Sequence, residues 1–293
     1  MPRPRPFLVL SACVALLGAS ACSSTKTTPL SGAGGTGSTV LPVTCTAPGY
    51  HVATDATRLD EVQASLSDPS GAPVPQLLVQ VCGLNLCING TTNAAGKTDV
   101  ALGSQLLERP AFKYGDGFLF GKIAALLGPA AKQDLGPLIA VPLADYSQGA
   151  PFPSSGAVTQ GDITLTLAAG TQINHDLLTY TDDSELVLRS APIPLEKSAA
   201  AADPSLGFEL AYTLAPVSTT FCPAAALSVK NTLGWAAATA VDVFIQGLEV
   251  DEKWAPYGGW VKVADASVSA DGSVITTTSG GIPILSSIAL RRR

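Results

Sequence analysis

Histidine, methionine and charge are all scarce in this 293-residue chain. It holds two His, one Met and 14% charged residues, against roughly 25% charged in an ordinary soluble domain. Two His leave no material for a His-rich metal centre. Basic residues run together only at Arg291-Arg292-Arg293, and the formal charge is −6, so the electrostatic footprint of a nucleic-acid binder is missing. Long apolar runs are missing too. The most apolar internal stretch, Ile123 to Leu143, is broken by Lys132, Gln133, Asp134 and three prolines, which excludes a spanning helix there. Catalytic and cofactor signatures are equally absent: there is no Gly-x-Ser-x-Gly, His-Glu-x-x-His, Walker loop or dinucleotide fingerprint. The nearest Ser-x-x-Lys, Ser23 to Lys26, falls in a stretch with nothing to pack a site around. These absences point to a protein that is not an enzyme, with no cofactor and no metal. A hydrophobic content of 46% in turn excludes a disordered chain.

What is present begins with an address. Arg3 and Arg5 form a positive head, Phe7 to Leu17 an apolar core, and Gly18 to Ala21 a small-residue exit, so residues 1–21 read as a secretion signal. The run Ala19-Ser20-Ala21-Cys22 resembles a bacterial lipobox, with Ala19 where that pattern has Leu. The resemblance implies that Cys22 becomes the acylated first residue of an envelope lipoprotein, held to the membrane by its lipid. Residues 22–41 are rich in Ser, Thr and Gly and read as a flexible tether.

The cysteines then change meaning. Cys13 leaves with the signal and Cys22 takes lipid, so Cys45, Cys82, Cys87 and Cys222 remain. An even number in an exported chain points to two disulfides, with three pairings open. Cys82 and Cys87 could close across a hairpin, leaving Cys45 for Cys222. A metal site is the alternative, but paired C-x-x-C spacing is lacking.

Period-2 alternation dominates the rest. Leu77–Cys82, Asp162–Leu167, Phe208–Leu214 and Ala240–Gln246 alternate apolar with polar or small residues. Turn signals at Asp68-Pro-Ser-Gly71, Asn93-Ala-Ala-Gly96, Gly258-Gly259 and Asp271-Gly272 separate such runs. Val268 to Val274 reads as a hairpin on a tight Asp-Gly turn. The expected fold is all-β: two tandem β-sandwiches over residues 42–146 and 159–290, joined by a Pro/Gly/Ser linker at 147–158.

Two resemblances sharpen that expectation. The strand and turn at Val62-Gln-Ala-Ser-Leu-Ser-Asp-Pro-Ser-Gly-Ala-Pro-Val-Pro75, the strand from Leu77, the Thr91-Thr-Asn-Ala-Ala-Gly96 turn and Asp134-Leu-Gly136 follow one another in order. In that order they resemble the carboxypeptidase regulatory-like, or transthyretin-like, sandwich. The second half, through Ile163–Thr171, Phe221-Cys-Pro223, Trp260-Val-Lys-Val263 and Val268–Val274, resembles the β-sandwich of ankyrins and netrin receptors. It lacks the His-Phe-Ser triplet that supports self-cleavage in some relatives. Both resemblances imply a fold and no particular activity.

Few residues are left as site candidates. His175-Asp176 reads as a solvated turn, since sequence neighbours rarely face one another for relay chemistry. Asp116, between two glycines, reads as a turn residue. The acidic groups Asp182–Glu185 and Glu249–Glu252 read as solvated loops, with Ca²⁺ as the alternative. Trp254, Tyr257 and Trp260 form the densest aromatic group: such rings more often plug the end of a sandwich core, and are a candidate binding loop for a sugar or an envelope partner if they face outward. The expected role is structural, adhesive or partner-binding. An exported hydrolase accessory or a carbohydrate-binding protein is the alternative.

Overall fold

The computed structural model describes residues 45–51 and 55–293. The signal segment, Cys22 and the tether lie outside the described residues. Residues 43–293 form one of two compact units, and everything below concerns that unit.

The fold is all-β. Seven strands come from its first half: β1 (Ala56–Ser67), β2 (Leu78–Cys82), β3 (Cys87–Thr91), β4 (Lys97–Glu108), β5 (Ala111–Tyr114), β6 (Ile123–Leu126) and β7 (Lys132–Ile139). They make a three-stranded sheet, β4-β1-β7, facing a four-stranded one, β3-β2-β5-β6. Alternation does the sorting. Val62, Ala64 and Leu66 of β1, Val79 and Val81 of β2, and Phe112 and Tyr114 of β5 all enter one apolar core. Strand β1 pairs antiparallel with β4 and parallel with β7.

Twelve strands follow: β8 (Ala150–Pro151), β9 (Gly156–Gln160), β10 (Ile163–Leu167), β11 (Gln172–Asn174), β12 (Val187–Pro192), β13 (Leu210–Ala215), β14 (Thr220–Lys230), β15 (Ala240–Gln246), β16 (Trp260–Val268), β17 (Val274–Gly280), β18 (Ile282–Ile284) and β19 (Ile288–Arg292). They belong to one sheet, ordered β8-β12-β13-β19-β15-β16-β17-β14-β10-β9, with β11 and β18 also on β14. The two ends of this sheet meet. Ser190 of β12 donates its N–H to Gln160 Oε1 at 2.7 Å and its hydroxyl to the Gln160 carbonyl of β9 at 2.9 Å. The result is a nearly closed barrel around a second core that includes Leu165, Leu227, Val243, Ile245 and Leu290. The Asp271-Gly272 hairpin joins β16 to β17 as expected; Gly272 sits at φ 72°, where a side chain would be strained. Asp271 accepts from the Ser269 and Ser273 hydroxyls, which hold its carboxyl down at about 2.

Both disulfides form, Cys82–Cys87 across the β2–β3 hairpin and Cys45–Cys222 onto β14. Bonds of this kind belong to an oxidising compartment.

The terminal arginines are not a free basic tail. Arg291 lies over the Phe244 ring, Arg292 pairs with Glu209, and Arg293 pairs with Asp242. Lys262 reaches the same Asp242 at 2.8 Å. Burial raises the Asp242 carboxyl, and hydrogen bonds from Lys262 and Arg293 outweigh it, so the net direction is downward.

Candidate functional site

In β5, Phe112 and Tyr114 face the first core, so Ala111 and Lys113 must face the other way. An isolated sandwich would leave that face in water. Here it is covered: Ala111 packs with Tyr257 and Cys82, and Ala124 of β6 packs with Val217 and Leu248. Gly258, at φ 70°, allows the approach, since a Cβ there would come within 2.7 Å of Leu126 and 2.9 Å of Ala111. Polar pairing continues the contact. Gln246, only 1% exposed, receives the Ala124 N–H on Oε1 at 3.0 Å and donates Nε2 to the Ala124 carbonyl at 2.7 Å. Arg189, also buried, donates to the carbonyls of Gly117, Phe118 and Ala144 and lies over the Tyr146 ring.

Between these contacts a polar cavity of about 170 Å³ opens. Lys113 and Lys122 bring its positive charge, and Asp116, Asp176 and Glu249 its carboxylates. The carboxylates have duties in the loops. Asp116 accepts the N–H groups of Phe118, Leu119 and Phe120. Asp176 accepts from the Leu178 and Thr179 N–H groups and from the Thr179 hydroxyl. Glu249 accepts the Ser218 hydroxyl. Ser218 follows a cis Ala215–Pro216 turn and holds φ 69°, which aims its hydroxyl at that carboxylate.

The lysines are differently placed. Lys113 is 8% exposed, and its ammonium lies 5.3 Å from the Tyr257 ring centroid. Its ammonium makes that cation–π contact, and no hydrogen bond or ion pair, among the described residues. Burial, and then the neighbouring Lys122 charge, pull its pKa down to about 8, with Glu249 opposing. Two like charges at one cavity, one of them desolvated, is an arrangement that costs stability.

The sequence candidates fall as follows. Tyr257 is fully buried and serves as the floor beneath Lys113. Trp260 donates its indole N–H to the Ala201 carbonyl at 3.1 Å and meets Phe208 edge-on. Trp254 packs against the second core. The three rings therefore pack inward in part: Tyr257 is buried, and Trp254 and Trp260 are half-buried. The physical reason is coverage, since this segment plugs the contact between the two β-layers. His175 bonds the Thr219 hydroxyl at 3.0 Å and turns away from Asp176. Asp182 and Glu185 form a capping box on a short 3₁₀ turn. In Glu249–Glu252, Asp251 is exposed as a loop acid should be, but Glu252 is buried and pairs with Arg109 and His51. Lys113, Lys122 and Ser218 carry no local signal in the sequence, because what they meet is distant in the chain: Tyr257 for Lys113, and Glu249, 31 residues on, for Ser218. The loops that supply Asp116 and Asp176 also expose Leu119, Leu177 and Leu178, the last 96% exposed.

No family model matches this chain, and no curated protein matches it in sequence. Among solved structures, it superposes on a crystal structure from Bacteroides uniformis described as a "putative carbohydrate binding protein". The match covers 80% of this chain and 98% of that one, at 5% identity and a TM-score of 0.23, a superposition too loose to establish a shared fold.

Proposed function

We propose that this protein is an exported, lipid-anchored binding protein of the bacterial cell envelope, without catalytic chemistry of its own. The observation that carries the reading is the fate of the cysteines. All four that follow residue 22 are bonded to one another, Cys45 to Cys222 and Cys82 to Cys87. Export is the natural setting for both bonds. Once the leader with Cys13 is removed, Cys22 is the one cysteine left over, at the position where the lipobox-like run would have it acylated. Two β modules of the kinds that the sequence resembles remain part of this reading. It is supported by the first-half sandwich and by the curved second-half sheet.

Binding is favoured over turnover by the use made of the nucleophile and the bases. Ser218 donates to Glu249, and a carboxylate is a weak base toward a hydroxyl. Both histidines are engaged elsewhere, His175 with Thr219 and His51 with Glu252. The test is metabolic labelling of the bacterial host with a clickable fatty acid. Label is expected on the wild-type chain and lost in Cys22→Ala. A wild-type chain that takes up no label overturns the anchor.

A further inference from the structure

We infer that the end of the domain carrying Leu119, Leu177 and Leu178 rests on a zwitterionic lipid surface, with these side chains entering the headgroup layer. They are the three most exposed large apolar side chains among the described residues, at 68%, 64% and 96%. Single exposed leucines are ordinary, but a group of them on one surface marks an interaction site. Two adjoining loops present the group. Tyr180, which is buried, donates its hydroxyl to the Gly117 carbonyl at 3.3 Å, and its ring lies 5.1 Å from that of Phe118. Asp116 and Asp176 each accept backbone N–H groups of their own loop. The rings take the inside of the contact and the leucines are left outside. Exposed Val250 belongs to the same end, since Glu249 before it lines one cavity with Asp116, Asp176 and Thr179.

The occupant follows from where the chain enters. Cys45 is bonded to Cys222, and Cys222 pairs with Gln172 of β11. From Gln172 the chain runs past His175, which bonds Thr219, to Leu177. Those five steps span at most about 18 Å. The entering segment then docks on the neighbouring loop: the Gly49 and Tyr50 N–H groups donate to the Lys253 and Glu252 carbonyls at 3.0 and 2.8 Å. The entry point therefore lies beside the exposed leucines. The inference rests on the proposed acylation of Cys22, which precedes Cys45 by 23 positions, a reach of at most about 80 Å. A tether of that length holds this end near the membrane at high effective concentration. A few leucines then suffice where they would not retain a free protein. Charge selects the lipid. Asp182, Asp183 and Asp251 are exposed at this end, and Lys253 is paired with Asp251. The negative surface that attracts basic segments repels these acids, whereas the ammonium groups of zwitterionic headgroups suit them.

The test holds the chain from residue 22 onward on vesicles of phosphatidylcholine and phosphatidylethanolamine, through a hexahistidine tag and a nickel-chelating lipid, so that tethering needs no acyl group. Leu178→Trp places a fluorescent reporter at the contact. Leu233→Trp places one at another exposed leucine, past the far end of β14, a strand about 35 Å long. Relative to plain vesicles, brominated acyl chains should quench the emission added at 178 several-fold more than that added at 233. Leu119→Ser with Leu177→Ser in the Leu178→Trp chain should remove most of that difference, and phosphatidylglycerol in the vesicles should reduce it. Circular dichroism and the melting temperature establish that each variant is folded. Equal quenching at the two positions, or none at 178, overturns the inference and leaves the leucines to a protein partner. Quenching at 178 that ignores the two serines, or that rises with phosphatidylglycerol, also overturns it. Absence of fatty-acid label in the separate experiment overturns the anchor alone, because the tag takes its place here.

Discussion

The side-chain amide of Gln246 pairs with both backbone groups of Ala124, 122 positions away, as though it were one more residue of the ladder. Strand β6 is the edge of its sheet, and edges carry unpaired N–H and C=O groups. Gln246 satisfies one such pair inside a dry contact. Gln246→Leu keeps the volume and strands both groups, so it should destabilise the protein by about 3 kcal/mol. Urea unfolding measures this. A change within a few tenths of a kcal/mol would mean that the contact opens to water.

The two disulfides should differ in weight. Cys45–Cys222 spans 177 residues and Cys82–Cys87 only five. The loop-entropy relation gives about 5 kcal/mol for the long loop and about 2 kcal/mol for the short one. Serine replacement of each pair, followed by urea unfolding, should reproduce that order.

Lys113 should make stability rise with pH above neutrality. Its folded pKa is about 8, against 10.5 for the ordinary group. Between those values the unfolded chain binds one more proton than the folded one, so unfolding becomes harder as pH increases, by up to about 1.4 kcal/mol per unit. Below pH 8 both states are protonated and the full penalty applies. Buried tyrosines act oppositely, but only above the ordinary tyrosine range, because burial raises Tyr114 and Tyr257. Unfolding measured from pH 8 to 9.5 should therefore show a rise in the wild type and a flat line in Lys113→Met. The charged groups that face it are Lys122 and Glu249, with Asp116 and Asp176 beside them, and all four are kept in Lys113→Met, so the difference between the two slopes belongs to Lys113.

Tyr257 and Leu178 should give opposite results. Tyr257→Ala empties a buried site and should cost about 3–5 kcal/mol. Leu178 is almost wholly exposed, so Leu178→Ser should leave the melting temperature unchanged. Thermal melts of the two variants decide between packing and an exposed role for each.

Much of the fold was legible because alternation and turn chemistry are local. Ala240–Gln246 reads as a strand from its own sequence and is one, and Asp271-Gly272 marks its hairpin without help from the rest of the chain. The Cys82–Cys87 bridge was within reach for the same reason. The cavity was not legible. Lys113 sits in an alternating strand at a position that faces away from Phe112 and Tyr114, and local rules assign such a position to water. Only the later segment carrying Val217, Leu248 and Tyr257 buries it, and no periodicity encodes that meeting. The aromatic group at 254–260 was conspicuous for its density, but the same residues suit a plug and a stacking platform equally. What decides is whether another layer lies above them.

The Cys45–Cys222 bond also settles how the molecule carries tension. A pull arriving along the chain from before residue 45 crosses the disulfide directly into β14, the strand that pairs with β10, β11, β17 and β18. Everything between residues 45 and 222 then lies within a covalently closed loop and bears none of the load. The first sandwich would keep its geometry while the molecule is tugged, until the bond is reduced and the same force is rerouted through it.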